Sequence, residues 1–219
     1  IDGMRYTRQG QACTAGSRVY IHEKIYDKVL DGAVKKLSKL KMGNALDENS
    51  DIGAIISEEQ LKRTLYYMDI AKKNSSTKIL HGGNQSKGGE YKDGFYYEPT
   101  LLSGLPVSSP VCQEEVFGPV ACAIPFKSFD EVMKSANDTQ FGLSAVLWTK
   151  DLSRALQFVD EIEAGFVQVN QCVAPRANVS YGGIKMSGLG KEYAFDSMMN
   201  HFTQSKTVLI NRGKSNIDV

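Results

Sequence analysis

The sequence predicts an α/β domain built on a mainly parallel, twisted sheet with helices on both faces. Apolar runs of strand length alternate with amphipathic stretches along much of the 219 residues, and strands that alternate with helices pair in parallel through right-handed crossovers. The run "GPVACAIPF" (118–126) is almost continuously apolar, as a strand covered on both faces should be. Two Ser-x-x-Glu/Gln sequences, Ser57 with Gln60 and Ser128 with Glu131, read as capping boxes that open helices.

Taken in order, "SRVYIHEKI" (17–25) alternates and is rich in β-formers, so it reads as a strand. "YDKVLDGAVKKLSKLKMG" (26–43) places Val29, Leu30, Val34, Leu37 and Leu40 at helical spacing and stops at Gly43. The helix after Ser57 runs through "LKRTLYYMDIAKK". "TKILHGG" (77–83) is a strand closed by glycines, and "GNQSKGGEYKDG" (83–94) is a polar surface loop or hairpin. Strand 118–126 is followed by the helix after Ser128, then by strand "LSAVLWT" (143–149), helix "DLSRALQFVDEIEAG" (151–165) closed by Gly165, and strand "FVQVN" (166–170). The tail "HFTQSKTVLIN" (201–211) alternates again and predicts a last strand. There is no internal repeat.

Composition narrows the function classes. The net charge is +1 and charged residues make up 23%, so no clustered basic face suggests nucleic acid or a membrane surface. No apolar run approaches the roughly 20 residues of a membrane span, and the first ten residues lack the apolar core of a secretory signal. The cysteines Cys13, Cys112, Cys122 and Cys172 are scattered without zinc or redox spacing, which predicts no metal and a reducing, cytoplasmic compartment. His22, His81 and His201 are equally dispersed and read as solvated or locally bonded.

Cys13 stands apart, in "QGQACTAGSR" (9–18). A packing cysteine belongs in an apolar run, whereas this one has only small neighbours. Small residues let a carbonyl approach the sulfur and let backbone N–H groups face the oxyanion formed on attack. Cys13 is therefore a candidate nucleophile; the alternative is a cysteine in a tight turn.

"GQACTAGSR" resembles the active-site cysteine motif of the NAD(P)-dependent aldehyde dehydrogenase superfamily. "QEEVFGPV" (113–120) resembles that family's glutamate-phenylalanine motif, "NDTQFGLSAVLWTKD" (137–151) its next helix-to-strand segment, and "YGGIKMSGLGKE" (181–192) its late glycine-rich motif. The four stand in the family's order and approximate spacing and span almost the whole chain.

The resemblance implies a reaction and roles. Cys13 would attack an aldehyde, the thiohemiacetal would lose hydride to NAD or NADP, and water would release the carboxylic acid from the thioester. Glu115 would bind the nicotinamide ribose and Phe117 would pack near the nicotinamide. Taken alone, Glu115 reads as a solvated loop glutamate, Glu114 likewise, and Phe117 as core. Tyr181 would line the aldehyde tunnel, with Ala12 and Thr14 shaping the pocket beside the thiol. Gln60 aligns only loosely with a cofactor-side position. The loop 171–180 is where family members vary with substrate, and its Arg176 suggests a negatively charged one.

The resemblance also implies what lies elsewhere. No segment has the strand, glycine-rich turn and helix of a dinucleotide site, and "SGLG" follows no strand and is no fingerprint. The cofactor-binding domain and the glutamate general base are expected upstream of Ile1. Residues 1–197 would be the catalytic, thiol-bearing domain, and 198–219 a C-terminal segment with an oligomerisation strand, in a family of dimers and tetramers. Alone, the chain is expected not to turn over. A cysteine hydrolase using Cys13 would need a histidine or carboxylate near the sulfur, and a non-catalytic scaffold would have no physical need for Cys13, Glu115 and Phe117 together.

Overall fold

The computed structural model describes residues 1–211. The strands of its first half are β1 (Arg18–His22), β2 (Lys78–His81), β3 (Gln85–Ser86), β4 (Tyr96–Tyr97), β5 (Thr100–Ser103) and β6 (Val120–Phe126). Four of them form the central sheet in the order β1-β6-β5-β2. β6 runs parallel to both neighbours, and β2 at the edge is antiparallel to β5.

The near-continuous apolar character of β6 has the expected cause. Successive side chains point to opposite faces: Val120, Cys122 and Ile124 enter one core, Ala121 and Ala123 the other. Helix α1 (Tyr26–Leu37) covers the alanine face with Leu30 and Leu37. Helix α2 (Glu58–Lys73) covers the opposite face with Leu61, Met68 and Ala71, joined there by the short α3 (Pro110–Gln113) through Val111 and Cys112.

In the second half, α4 (Phe129–Asn137) follows β6. β7 (Phe141–Gly142) pairs with the later β10 (Ile184–Lys185), and β8 (Ser144–Leu147) runs parallel to β9 (Phe166–Val169) across α5 (Leu152–Glu161). Helix α6 (Phe195–Phe202) comes last. The architecture is α/β with a mainly parallel sheet and helices on both faces.

Several boundaries differ from expectation for local reasons. α1 ends at Leu37, short of Gly43, because the Ser38 hydroxyl donates to Val34 O at 3.0 Å and the chain then leaves to bridge Met42 with Ile52. α5 ends at Glu161, before Gly165: the Asn137 amide donates to Glu161 O and accepts from Glu163 N, both at 2.9 Å. Ser57 accepts from Gln60 N at 3.2 Å, yet the Gln60 side chain bonds elsewhere, so that box is half formed. Ser128 caps α4, and Glu131 accepts from Lys127 N rather than from the cap residue itself. The polar loop at 83–94 contains β3 and joins it to β4 just beyond, with which β3 pairs antiparallel, so the loop closes a hairpin.

The expected C-terminal strand is not formed. His201 and Phe202 finish α6, and 203–211 are exposed without pairing to any strand among the described residues. A strand exists only as part of a ladder, and neither edge of the four-stranded sheet, β1 or β2, pairs with this segment. Residues 212–219 of the expected C-terminal segment lie outside the described residues. Among the described residues no helix is long and apolar enough to cross a membrane.

Candidate active site

Two short helical turns, Asp2–Met4 and Tyr6–Arg8, lead into the cysteine loop. Tyr6 anchors them from the core, its hydroxyl donating to Thr100 O at 2.7 Å. Gly10 has a φ of 66°, and a Cβ there would stand 2.0 Å from Gly118 O. Only glycine fits that close approach. The loop carrying Cys13 thus lies backbone to backbone against the loop carrying Glu115 and Phe117.

Cys13 sits in a turn closed by Ala15 N donating to Ala12 O at 2.8 Å, with Ala12 and Thr14 half-buried on either side. It is exposed, Cys172 is half-buried, and Cys112 and Cys122 are buried; all four are free thiols. Among the described residues the Cys13 N–H has no hydrogen-bond partner, so it is available to an incoming oxyanion. Its sulfur lies 3.3 Å from the Tyr181 hydroxyl.

Tyr181 is fixed by its surroundings. Its ring meets Phe166 and Tyr193 edge to face, with centroids 5.4 and 5.7 Å away. Its backbone bridges Glu192 through bonds of 3.0 and 2.7 Å, and Lys191 Nζ donates to Gly182 O and Gly183 O at 2.8 and 3.2 Å. Desolvation first, and then the bond to the Cys13 sulfur, push the Tyr181 phenol well above its ordinary value. It stays protonated and can donate to the sulfur.

One face of α2 holds the loop 114–118. Gln60 Nε2 donates to Val116 O at 3.0 Å and to Phe117 O at 2.8 Å. Arg63 Nε donates to Glu115 O at 3.1 Å, and its terminal nitrogen donates to the same oxygen. A Cβ on Gly118 would be 2.5 Å from Thr64 Oγ1, so the loop rests directly on the helix. Phe117 is held at a left-handed φ of 55°.

Glu114, expected to be merely solvated, accepts from the Tyr67 hydroxyl at 2.7 Å. Burial first, and then this bond, raise the Tyr67 phenol above its ordinary value. The Glu115 carboxylate is exposed and has no partner among the described residues. A free carboxylate beside a half-buried phenylalanine fits a ribose diol next to an aromatic base, so the donor set suits a nicotinamide nucleoside. Arg63 and Tyr67 carried no role in the sequence reading; their spacing from Gln60, three and seven residues on, was the available signal.

The structure therefore joins Cys13 directly to Tyr181 and brings the Cys13 loop against the Glu115–Phe117 loop, while Glu115 makes no hydrogen bond to Cys13. The loop 171–180 is largely exposed, and Arg176 has no side-chain partner among the described residues. The loop is tied at its start by Gln168, 4% exposed, which accepts from Val173 N at 2.8 Å.

Known proteins share this arrangement of sequence and fold. A relative named aldehyde dehydrogenase from Rhodospirillum rubrum is 39% identical over 92% of this chain and 40% of its own length. Aldehyde dehydrogenase B of Escherichia coli is 38% identical over 92% of this chain and 39% of its own length. A crystal structure of apo betaine aldehyde dehydrogenase from Staphylococcus aureus superposes with a TM-score of 0.90 at 31% identity, covering 99% of this chain and 43% of that one. An aldehyde dehydrogenase from Bacillus cereus, solved as an NAD+ complex, gives 0.89 at 32% identity, covering 96% of this chain and 42% of that one. The chain thus spans about two fifths of the length of these relatives. The model of the aldehyde dehydrogenase family matches residues 3–208, and with the fold and these relatives in agreement, the chain belongs to the aldehyde dehydrogenase family.

Proposed function

We propose that this chain is the thiol-bearing part of an NAD(P)-dependent aldehyde dehydrogenase, an oxidoreductase converting an aldehyde to a carboxylic acid. The observation that carries the reading is the exposed Cys13, its sulfur bonded to Tyr181 and its loop seated against the one that bears Glu115 and Phe117. Residues 1–197 act as the catalytic domain, and 198–219 as a C-terminal segment for association.

Cys13 attacks as the thiolate. A bond forms between sulfur and the carbonyl carbon while the carbonyl π pair moves onto oxygen, and the unpartnered Cys13 N–H offers that oxygen a hydrogen bond. Glu115 holds the ribose diol and Phe117 packs beside the nicotinamide. The bound NAD(P)+ supplies the hydride acceptor. This chain's part in the oxidation is to keep the reacting carbon fixed on sulfur, which makes the encounter intramolecular. Water then adds to the thioester carbon, the carbon–sulfur bond breaks and the Cys13 thiolate returns. The base for that water and the rest of the dinucleotide site belong to upstream sequence, so the isolated chain does not turn over.

The histidines argue against a cysteine hydrolase. His22 Nδ1 accepts from Lys24 N at 3.2 Å and His81 Nδ1 pairs with Pro99 O at 2.8 Å, and no histidine bonds Cys13 among the described residues. A homo-oligomeric state is supported by the exposed apolar end of the molecule, where Phe202 is 82% and Leu209 92% exposed. The free thiols agree with a cytoplasmic location.

The test is to express the protein with its upstream sequence and follow NADH and NADPH absorbance against a panel of aldehydes. Activity lost in Cys13→Ala supports the reading. Cofactor-independent ester hydrolysis lost in the same variant would replace it with the hydrolase.

A further inference from the structure

We infer that Arg63 and Tyr67 on α2 are positioning residues for the cofactor: they fix the backbone of the 114–117 loop so that the Glu115 carboxylate is free and correctly placed. The inference rests on the reading of Glu115 as a ribose ligand.

Three consecutive carbonyls, those of Glu115, Val116 and Phe117, accept from side chains of one helix face. Carbonyls on an exposed loop are ordinarily left to water. Arg63 is also poorly explained as a charge partner. Two carboxylates, Glu114 and Glu115, stand in the loop it holds, and a guanidinium forks most favourably onto a carboxylate. Instead its Nε and one terminal nitrogen both donate to the Glu115 main-chain oxygen.

Tyr67 completes the arrangement. Its hydroxyl accepts from Arg63 at 3.2 Å and donates to Glu114 at 2.7 Å, and the guanidinium lies over its ring, 5.2 Å from the centroid. Glu114 is thereby occupied by a neutral donor, which keeps it from drawing Arg63 off the backbone. Glu115, one residue on, is held by its carbonyl and has its carboxylate unpartnered. Gln60 does the same for Phe117, stabilising a left-handed backbone that a phenylalanine otherwise disfavours.

The experiment uses the full-length protein and titrates NADH or NADPH, whichever the wild type binds, by fluorescence. Arg63→Met is expected to weaken cofactor binding about tenfold and Tyr67→Phe about threefold, the scale of losing one charge-assisted or one neutral hydrogen bond. Aldehyde KM and the rate of Cys13 alkylation by iodoacetamide should not move. Arg63→Lys, which keeps one donor, should recover part of the loss. In a Glu115→Ala background Arg63→Met should add nothing further, because its effect runs through Glu115.

Unchanged cofactor affinity in both Arg63→Met and Tyr67→Phe would overturn the positioning role, as would full additivity with Glu115→Ala. If Arg63→Met does not fold, Tyr67→Phe and its cycle with Glu115→Ala decide alone. Unaltered affinity in Glu115→Ala itself overturns the ribose-ligand reading, and the positioning role with it.

Discussion

The Tyr181 hydroxyl lies 3.3 Å from the Cys13 sulfur although the two residues are 168 positions apart. A phenol that donates to a thiolate stabilises it and at the same time occupies a lone pair needed for attack. Tyr181→Phe keeps the ring and removes both effects. Iodoacetamide should label Cys13 about threefold more slowly than in the wild type. An unchanged labelling rate would show that the hydroxyl does not act on the sulfur.

Thiol accessibility makes a second prediction. Cys112 and Cys122 are 3% and 1% exposed, whereas Cys13 is exposed. Limiting alkylation of the native chain should modify Cys13 first, Cys172 later, and the buried pair only after denaturant is added. Peptide mass spectrometry gives the order directly, and early modification of Cys112 would contradict the packing of α3 on β6.

Gly10→Ala tests the contact between the two loops. The substituted residue would need both a left-handed φ of 66° and room 2.0 Å from Gly118 O. We expect a loss of about 3 kcal/mol in urea unfolding. Gly32→Ala, in α1 with nothing within 4 Å of its added Cβ, should instead stabilise by about 0.5 kcal/mol.

Tyr6 predicts an alkaline limit. Burial pushes its phenol far above the ordinary tyrosine range, so the fold retains a proton that the unfolded chain loses near pH 10. The contribution is complete below about pH 10 and is lost as pH rises further towards the folded value. Melting temperature should therefore fall above about pH 10, and Tyr6→Phe should flatten that fall. At neutral pH the variant should be less stable by about 1 kcal/mol through the lost bond to Thr100 O. Parallel alkaline slopes in wild type and variant would refute the assignment.

The sequence shows its sheet where burial is two-sided and its helices where a side chain caps them. β6 was legible because each of its first five residues is buried, and α2 because Ser57 accepts from Gln60 N. β5 was not: Thr100 to Ser103 are too few to show a period, and their burial comes from β6 and β2 on either side. Cys13 was legible from its small neighbours, and Tyr181 only through its resemblance to a motif, since nothing local ties it to a thiol so distant in sequence. Arg63 and Tyr67 share a helical face with Gln60, but that spacing does not say what they bind: a main-chain oxygen and Glu114, neither marked in the sequence.

The loop 171–180 is largely exposed, with Cys172, Val173 and Pro175 half-buried, and is tied to the body at its start by Gln168. It behaves as a cassette. Residues 174–177, 179 and 180 can be diversified while Gln168, Val173 and Asn178, the last at a left-handed φ of 63° with its N–H donating to Tyr193 O, stay in place, and such libraries should melt near the wild-type temperature because no core side chain is exchanged. The turn that carries Cys13 has no such freedom, pinned as it is by Gly10. The two segments are therefore separately heritable: one can drift in solvent while the other is locked against the loop of Gly118.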